Sequence, residues 1–333
     1  MNVLYQSDNN YAPYMGVSIC SLFENNKESD CITVYVIDDG INKANKEKLN
    51  ELGMRYSRNI IYLTGDILLE DAELVKTFAY TQFRKNTHSY FKMFIDRLLP
   101  DLDERIIYID CDTVVEGDIS GLVSMDMKDK AIGMVQDSLV SSVKTCVGID
   151  DAERYYNSGV ILIDLKRWNE LNCSDRIFKH IRDVRTYGTV DQDVLNVELH
   201  DQILTLPVRY NLQPVHMDYS YKQYSRVYKH KEPYYNSEEV REALGDPGII
   251  HFLRYIGESP WHDGNVHPAT PYFDKYLKVS PWHDMVKKPS GKGGVFKIEK
   301  IMYRVLPRGM FLRIFFIIHD RMIRKSNVQE KHI

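Results

Sequence analysis

The chain has 333 residues, of which 44% are hydrophobic and 27% charged, an ordinary composition for a globular protein. Five widely spaced cysteines with no Cys-x-x-Cys pair argue against a disulfide framework or a zinc knuckle and fit a reducing, cytoplasmic location. The net charge of −4 combines +9 in residues 285–333 with −13 in the remaining residues, and so acidic a body excludes non-specific binding to nucleic acid.

Predicted strands and helices alternate along the first half of the chain. The N-terminus lacks the basic and apolar pattern of a signal peptide and begins the first strand instead. Strands are predicted at residues 3–5, 32–37, 59–63, 105–109, 131–135 and 158–165, and helices at residues 14–24, 42–52 and 88–99. The alternation predicts an α/β fold with a mostly parallel mixed sheet. We expect one domain over residues 1–284, because the first linker-like stretch lies at 287–294.

Two carboxylates, Asp110 and Asp112, directly follow the apolar strand predicted at 105–109. Side chains alternate along an extended chain, so both point the same way, at the strand end where open α/β sheets bind ligands. Paired carboxylates suit Mg²⁺ or Mn²⁺, and such ions usually also hold substrate phosphates. The motif therefore predicts a metal site for a diphosphate-bearing substrate. The alternative is an ordinary turn or helix cap.

Other polar motifs lie at the ends of predicted elements. After the first strand, Asp8 and Asn10 can hydrogen-bond a base edge or ribose and Tyr11 can stack on a ring. The alternative for this motif is an Asx-rich turn that caps the next helix. His251 closes an apolar run, where it is either a structural residue or a metal ligand through its neutral imidazole.

Three more polar residues lie at the ends of predicted strands or helices. Asn157 precedes the apolar strand at 158–165, and Asp191 and Gln192 stand just before an apolar helical pattern. Residues in such positions frequently serve as caps, so their type and position alone do not assign them a function.

In the C-terminal segment, residues 285–333, apolar and basic residues alternate from Val295 to Arg324. Its longest apolar run, residues 314–318, is far shorter than the ~20 residues that a membrane-spanning helix needs. The pattern predicts a basic amphipathic helical segment that docks peripherally on an anionic membrane, such as the inner face of the plasma membrane. The alternative is a tail helix packed on the domain.

In combination, these motifs resemble glycosyltransferase family 8, the retaining nucleotide-sugar transferases, and are similar to bacterial lipooligosaccharide α-galactosyltransferases. The resemblance implies a single nucleotide-binding domain of the GT-A type. It covers about residues 1–283 and rests on five motifs in the same order, at residues 7–11, 110–112, 156–160 and 191–193 and at His251 with Pro260-Trp261.

The resemblance also implies ligand positions in this chain. Residues that match the uridine-binding positions are Asp8, Asn10 and Tyr11, with Tyr11 stacking on uracil. Residues that match the ligands of Mn²⁺, or of Mg²⁺ in its place, are Asp110, Asp112 and His251. We also expect Lys92 and Cys111 to contribute to donor binding, and Arg254 is added as a hypothesis that the resemblance does not imply.

Asn157, Asp191 and Gln192 match positions around the donor sugar in the same family. The implied reaction moves glucose or galactose from UDP-glucose or UDP-galactose to a hydroxyl of a glycan acceptor linked to lipid or protein. An amide is a poor nucleophile, so we expect a front-face mechanism: the acceptor hydroxyl attacks as UDP leaves, and Gln192 supports the developing positive charge.

Two departures from the family pattern concern phosphate contacts. Lys92 stands where the family usually has Arg, and it lacks the fork that binds two oxygens. Ser259 stands where the family usually has Lys before Pro-Trp, in a loop about two residues longer, and Arg254 is the candidate for the missing cation.

Two alternatives for the function remain open from the sequence. One is a membrane-peripheral nucleotide-sugar-binding protein with weak turnover, which the missing Lys favours. The other is a haloacid-dehalogenase-like, Mg²⁺-dependent phosphatase, but its site needs a Thr at the place of Val114.

Overall fold

A seven-stranded sheet forms the centre of the molecule, for which a computed structural model describes residues 1–69, 87–138, 143–184 and 190–330. The strands are β1 (Asn2–Asp8), β2 (Thr33–Asp39), β3 (Asn59–Thr64), β4 (Arg105–Ile109), β5 (Thr113–Val115), β6 (Ile132–Gln136), β7 (Tyr156–Asp164), β8 (Ile203–Thr205) and β9 (Ile249–His251). The large sheet has the order β3-β2-β1-β4-β7-β6-β8, and β5 pairs with β9 in a separate two-stranded sheet. The six strands predicted from the sequence are β1 to β4, β6 and β7.

The strand directions confirm the mostly parallel mixed sheet. β1 pairs in parallel with β2 and β4, and β2 with β3, whereas β7 runs antiparallel to β4 and β6. The amino end of β7 therefore lies at the same edge as the carboxyl end of β4, where the Asp110 N–H donates to the Gly159 carbonyl oxygen at 2.8 Å. Polar residues from both strand ends consequently meet at this edge.

Helices cover both faces of the large sheet. The α-helices are α1 (Ala12–Asn25), α2 (Lys43–Tyr56), α3 (Asp66–Leu69), α4 (Ile95–Leu98), α5 (Ser120–Val123), α6 (Val143–Cys146), α7 (Leu165–Glu170), α8 (Cys173–Val184), α9 (Val190–Glu198), α10 (Pro214–Asp218), α11 (Tyr221–Tyr228), α12 (Ser237–Gly245), α13 (Thr270–Leu277), α14 (Val295–Val305) and α15 (Arg308–Glu330). Val3 and Tyr5 of β1 join a core with α1, α2 and α13, whereas Leu4 joins a core with α7, α8 and α9, as the alternation of side chains along a strand requires.

The helix predicted at residues 88–99 is mainly a 3₁₀ helix, Thr87–Phe94, followed by α4; shorter 3₁₀ helices lie at His200–Gln202 and Val208–Asn211. Residues i and i+3 eclipse in a 3₁₀ helix, which brings together Tyr90 with Met93 and Phe91 with Phe94, all of them buried. Lys92 between them is only 6% exposed. The tight helix therefore buries a charged side chain that a sequence pattern alone would leave in solvent.

The C-terminal helices α14 and α15 pack on the domain and still leave an apolar surface exposed. Tyr303 of α14 and Phe311 and Leu312 of α15 are buried in a cluster with Tyr219 and Tyr255. Four apolar residues along α14 remain 60–74% exposed, namely Val295, Ile298, Ile301 and Val305. In the part of the chain that the structure describes, no helix combines the length and apolar character needed to cross a membrane. The last residues of the predicted docking segment, 331–333, lie outside the described residues.

Candidate active site

The acidic motif and His251 come together at the carboxyl edge of the sheet. β4 ends immediately before Asp110, β5 begins immediately after Asp112, and the antiparallel pairing of β5 with β9 places Thr113 opposite His251. His251 Nε2 consequently lies 3.2 Å from Asp112 Oδ1 and 3.8 Å from Asp110 Oδ2. One ligand atom from each of these three residues lies within 4.8 Å of the others, as expected for side chains that share one cation.

Two asparagines and a glycine hold the His251 ring in one orientation. His251 Nδ1 lies 3.1 Å from Asn211 Oδ1, and Asn211 Nδ2 donates to Asn157 Oδ1 at 2.8 Å. A Cβ atom at Gly159 would lie 2.1 Å from His251 Cε1, so glycine is needed there to leave room for the ring. In the neutral imidazole, Nδ1 donates to the amide oxygen and Nε2 keeps a lone pair facing the carboxylates, the usual arrangement of a metal-binding histidine.

Burial and neighbouring charges shift the pKa values of Asp110, Asp112 and His251. Burial raises the pKa of Asp110; the ammonium of Lys92 opposes this effect and the like charge of Asp112 adds to it. Burial would also raise the pKa of Asp112, but the charge and hydrogen bond of His251 in its protonated form hold it below its ordinary value. Burial would lower the pKa of His251, but the two carboxylates hold it above its ordinary value. Two carboxylates and one imidazole make a mixed oxygen and nitrogen ligand set that could hold a divalent cation.

Lys92 connects the acidic motif with Asp191. Its Nζ lies 2.7 Å from Asp191 Oδ2 and 3.7 Å from Asp110 Oδ1, and 4.1 Å from the centroid of the Tyr108 ring. Burial would lower the pKa of Lys92, but Asp191 and Asp110 raise it above its ordinary value, so the side chain is a cation at neutral pH. Lys92 therefore neutralises part of the buried negative charge of the site.

The predicted sugar-site residues form one hydrogen-bond network. Gln192 Oε1 accepts from Asn157 Nδ2 at 3.1 Å and from the Ser158 N–H at 3.2 Å. Gln192 Nε2 and Asn157 Nδ2 donate to Asp137 Oδ2 at 3.2 and 3.1 Å. Ser158 Oγ donates to Asp191 Oδ2 at 2.9 Å, which links the network to Lys92 and so to the acidic motif.

The sequence reasoning missed two members of the site, Asp137 and Asn211. Asp137 directly follows β6, so the strand-end rule that selected Asp110 would also have selected it. Asn211 ends a short 3₁₀ helix and carries no comparable signal. Its neighbour Leu212 accepts the main-chain N–H of His251 at 3.0 Å, a contact between residues 39 positions apart that local sequence does not reveal.

Tyr11 lies on the opposite side of the acidic motif from the sugar-site network, in a turn built by Asp8 and Asn10. Asp8 accepts the main-chain N–H of Tyr11 at 2.8 Å and Asn10 Nδ2 at 3.2 Å. A turn built on Asp8 is therefore present, but α1 has Tyr11 as its N-cap and no side-chain cap. The turn presents a Tyr11 ring that is 40% exposed and contacts the edge of Trp261, with ring centroids 6.2 Å apart. Trp261 in turn stacks on Tyr14 at 4.0 Å. The partly open ring can stack on a planar ligand.

The last two predicted donor-binding residues differ in how they face the site. The Cys111 thiol is buried and donates to the Gln6 carbonyl oxygen of β1 at 3.0 Å, so its side chain is turned toward the sheet. Arg254 is exposed. Burial and the Asp112 carboxylate raise the pKa of the Tyr11 hydroxyl, and the positive charge of Arg254 opposes them.

Comparison with known proteins identifies the family of the chain. The profile of the family described as Glycosyl transferase family 8 matches residues 2–265. General stress protein A of Bacillus subtilis is 31% identical over 276 residues, which cover 80% of this chain and 90% of that protein. Lipopolysaccharide 1,2-glucosyltransferase of Escherichia coli K12 is 29% identical over 277 residues, or 82% of this chain and 76% of the enzyme.

The fold is also that of a solved transferase. The galactosyltransferase LgtC, in complex with donor and acceptor sugar analogs, superposes with a TM-score of 0.66 at 21% identity, over 84% of this chain and 96% of LgtC. That likeness identifies the fold as the GT-A type, and the match to the family over residues 2–265 identifies the enzyme class. The chain is a glycosyltransferase and belongs to glycosyltransferase family 8.

Proposed function

We propose that this glycosyltransferase moves glucose or galactose from a UDP-sugar to a hydroxyl group of a glycan acceptor, with retention of anomeric configuration and with Mn²⁺, or Mg²⁺, as its cofactor. The observation that carries the proposal is the convergence of Asp110, Asp112 and His251 beside the Asn157–Gln192 network. A cation site next to a ring of hydrogen-bonding groups suits a diphosphate joined to a sugar. The names of two relatives, a lipopolysaccharide 1,2-glucosyltransferase and a lipopolysaccharide 1,3-galactosyltransferase, support a hexose donor and a cell-surface glycan acceptor.

Asp110, Asp112 and His251 would hold the cation, and the chemistry it would supply is Lewis-acid neutralisation of the leaving diphosphate. Asn211 contributes by fixing the tautomer of His251 through the contact at 3.1 Å. Lys92, which touches both Asp110 and Asp191, holds the two carboxylates in place and offsets their mutual repulsion.

The hydrogen bonds of Gln192 favour a front-face mechanism. Its Oε1 already accepts two hydrogen bonds, at 3.1 and 3.2 Å. Because these bonds occupy its lone pairs, the oxygen is a poorer nucleophile than that of a free amide. The acceptor hydroxyl would then attack from the side on which UDP leaves, and its proton would pass to the departing phosphate. Asp137 and the amide dipole of Gln192 would stabilise the oxocarbenium-like charge on the sugar.

Arg254 is the proposed replacement for the Lys that the family usually has at the position of Ser259. It follows the proposed metal ligand His251 by three residues, and its charge acts on the Tyr11 hydroxyl, so we assign it to the proposed path of the diphosphate. Arg254→Ala should raise the donor Michaelis constant at least about tenfold, because a charge-assisted hydrogen bond contributes roughly 1.5–3 kcal/mol. An unchanged Michaelis constant would remove Arg254 from the site.

In our proposal, residues 1–284 form the catalytic domain and residues 285–333 dock peripherally on a membrane. The exposed apolar side of α14 and the net charge of +9 in this segment support an anionic lipid surface as the partner.

The protein should sediment with anionic phosphatidylglycerol vesicles and not with neutral phosphatidylcholine vesicles. Ile301→Asp should weaken sedimentation several-fold, whereas Met54→Asp, at an equally exposed position on α2, should not; equal effects would refute docking through α14.

A panel of UDP-sugars with Mn²⁺, with UDP release as the readout, tests the proposed function. We expect release from UDP-glucose or UDP-galactose and none without a divalent cation. Tight binding of UDP-sugars without release would favour a binding protein of weak turnover. Phosphate release from simple phosphate esters would favour the phosphatase alternative.

A further inference from the structure

The loop between His251 and Trp261 contains a tight hairpin that the family resemblance does not imply. The Tyr255 N–H donates to the Glu258 carbonyl at 2.8 Å and the Glu258 N–H to the Tyr255 carbonyl at 3.0 Å. Both residues at its tip, Ile256 at φ 50° and Gly257 at φ 71°, lie in the left-handed region, as in a type I′ turn. A β-branched residue such as Ile256 is a rare outlier there. A strained tip of this kind persists only where surrounding contacts hold it.

The contacts that hold this hairpin, residues 255–258, come largely from the C-terminal helices. Ile256 is 2% exposed and belongs to the apolar cluster that contains Tyr303, Phe311 and Leu312. A Cβ atom at Gly257 would lie 2.3 Å from Phe296 Cδ1, so the Phe296 ring rests directly on the hairpin tip.

An ion pair adds to this packing. Glu258 is 8% exposed, and Lys300 Nζ of α14 lies 2.9 Å from its carboxylate. Burying a carboxylate without a partner is costly, so the pair ties the position of the hairpin to that of α14. Apolar packing and the ion pair therefore both hold the hairpin, residues 255–258, in place.

The hairpin directly follows Arg254 in the chain. On its other side the chain continues to Trp261, which is anchored independently by its stack on Tyr14 at 4.0 Å. Arg254 is exposed, so packing of its own side chain does little to position it. Before Arg254, the Phe252 N–H donates to the Asp112 carbonyl oxygen at 2.7 Å. The backbone of Arg254 therefore depends on this anchor on one side and on the hairpin, and through the hairpin on α14, on the other.

We propose that the C-terminal helices position the donor-binding loop, with Lys300 of α14 acting through Glu258 and the hairpin on Arg254. In this proposal the segment 285–333 contributes to donor binding as well as to membrane docking. Lys300 is a positioning residue, since it acts on the donor through Arg254. This inference rests on the proposed function, because it concerns affinity for the nucleotide diphosphate.

The test compares Lys300→Met with Lys297→Met in the full-length protein. Lys297 lies on the same helix and is exposed, so its variant removes the same charge without touching Glu258. With UDP and Mn²⁺ as the probe, Lys300→Met should raise the dissociation constant for UDP about tenfold and the donor Michaelis constant similarly. The reason is that Arg254 is no longer preorganised to contact the diphosphate. The turnover number should change less than about twofold, since the sugar-site network is untouched. Lys297→Met should resemble the wild type, and exchanging the pair, Glu258→Lys with Lys300→Glu, should recover most of the affinity.

A double-mutant cycle separates positioning from a general loss of stability. If Lys300 acts through Arg254, the double variant Arg254→Ala, Lys300→Met should bind UDP no more weakly than Arg254→Ala alone. Amide exchange in the hairpin should be faster in Lys300→Met than in Lys297→Met. UDP affinity equal to that of Lys297→Met, or additive losses in the cycle, would overturn the inference while leaving the proposed function intact. A wild-type protein that binds no UDP would instead refute the proposed function, and the inference with it.

Discussion

Asp112→Asn should reduce UDP release more than about 100-fold, because a protein ligand of a catalytic cation cannot be replaced by a neutral amide without loss of Lewis-acid chemistry. The substitution keeps the size of the side chain, and Asp112 retains 28% exposure of its side chain, so the fold should survive. The loss should appear in turnover with every UDP-sugar that the wild type uses. Titration of Mn²⁺ followed by electron paramagnetic resonance should show weakened binding of the ion in the same variant.

Asp103→Asn is the matched control for that experiment. Asp103 lies exposed in the loop before β4, so the same chemical change is made away from the candidate site. It should leave UDP release and Mn²⁺ binding at wild-type levels. Full activity in Asp112→Asn would refute the metal assignment, and with it the proposed role of His251.

Lys92→Met should have the largest effect on stability among the proposed substitutions. Lys92 is 6% exposed and its Nζ lies 2.7 Å from Asp191 and 3.7 Å from Asp110, so the variant leaves two partly buried carboxylates without their cation. Removing one partner of a buried ion pair costs about 3–5 kcal/mol, and we expect the free energy of unfolding to fall by about 3 kcal/mol because the carboxylates retain some contact with water. Urea unfolding in metal-free buffer measures the change.

The same substitution should lower turnover strongly, because Asp191 loses the contact that orients it toward the sugar-site network. Lys92→Arg is the control, since it keeps the charge and restores the residue that the family usually has. It should retain most of the stability and turnover. A Lys92→Met protein as stable as the wild type would show that the buried carboxylates do not depend on this cation.

The sequence alone located six of the nine strands in the described residues, β1 to β4, β6 and β7, and pointed to candidate site residues at their ends. Apolar, β-branched runs mark strands, and polar residues that interrupt them mark the sheet edge where ligands bind. Asp110, Asp112 and Asn157 are found in this way, and Asp137 obeys the same rule. The helix at residues 88–99 was located correctly, but its 3₁₀ geometry was not predicted, because a short apolar period does not distinguish a 3₁₀ from an α-helix.

Only the tertiary structure decided which of these residues meet. His251 reaches Asp112 because β9 pairs with β5, although the two residues are 139 positions apart. Lys92 joins Asp110 to Asp191, and Lys300 reaches Glu258 from a segment that the sequence marked only as a basic tail. Local periodicity reports whether a side chain is buried and not against which distant element it packs. Strand pairing and helix packing set those partners, since they depend on burial of apolar surface across the whole chain.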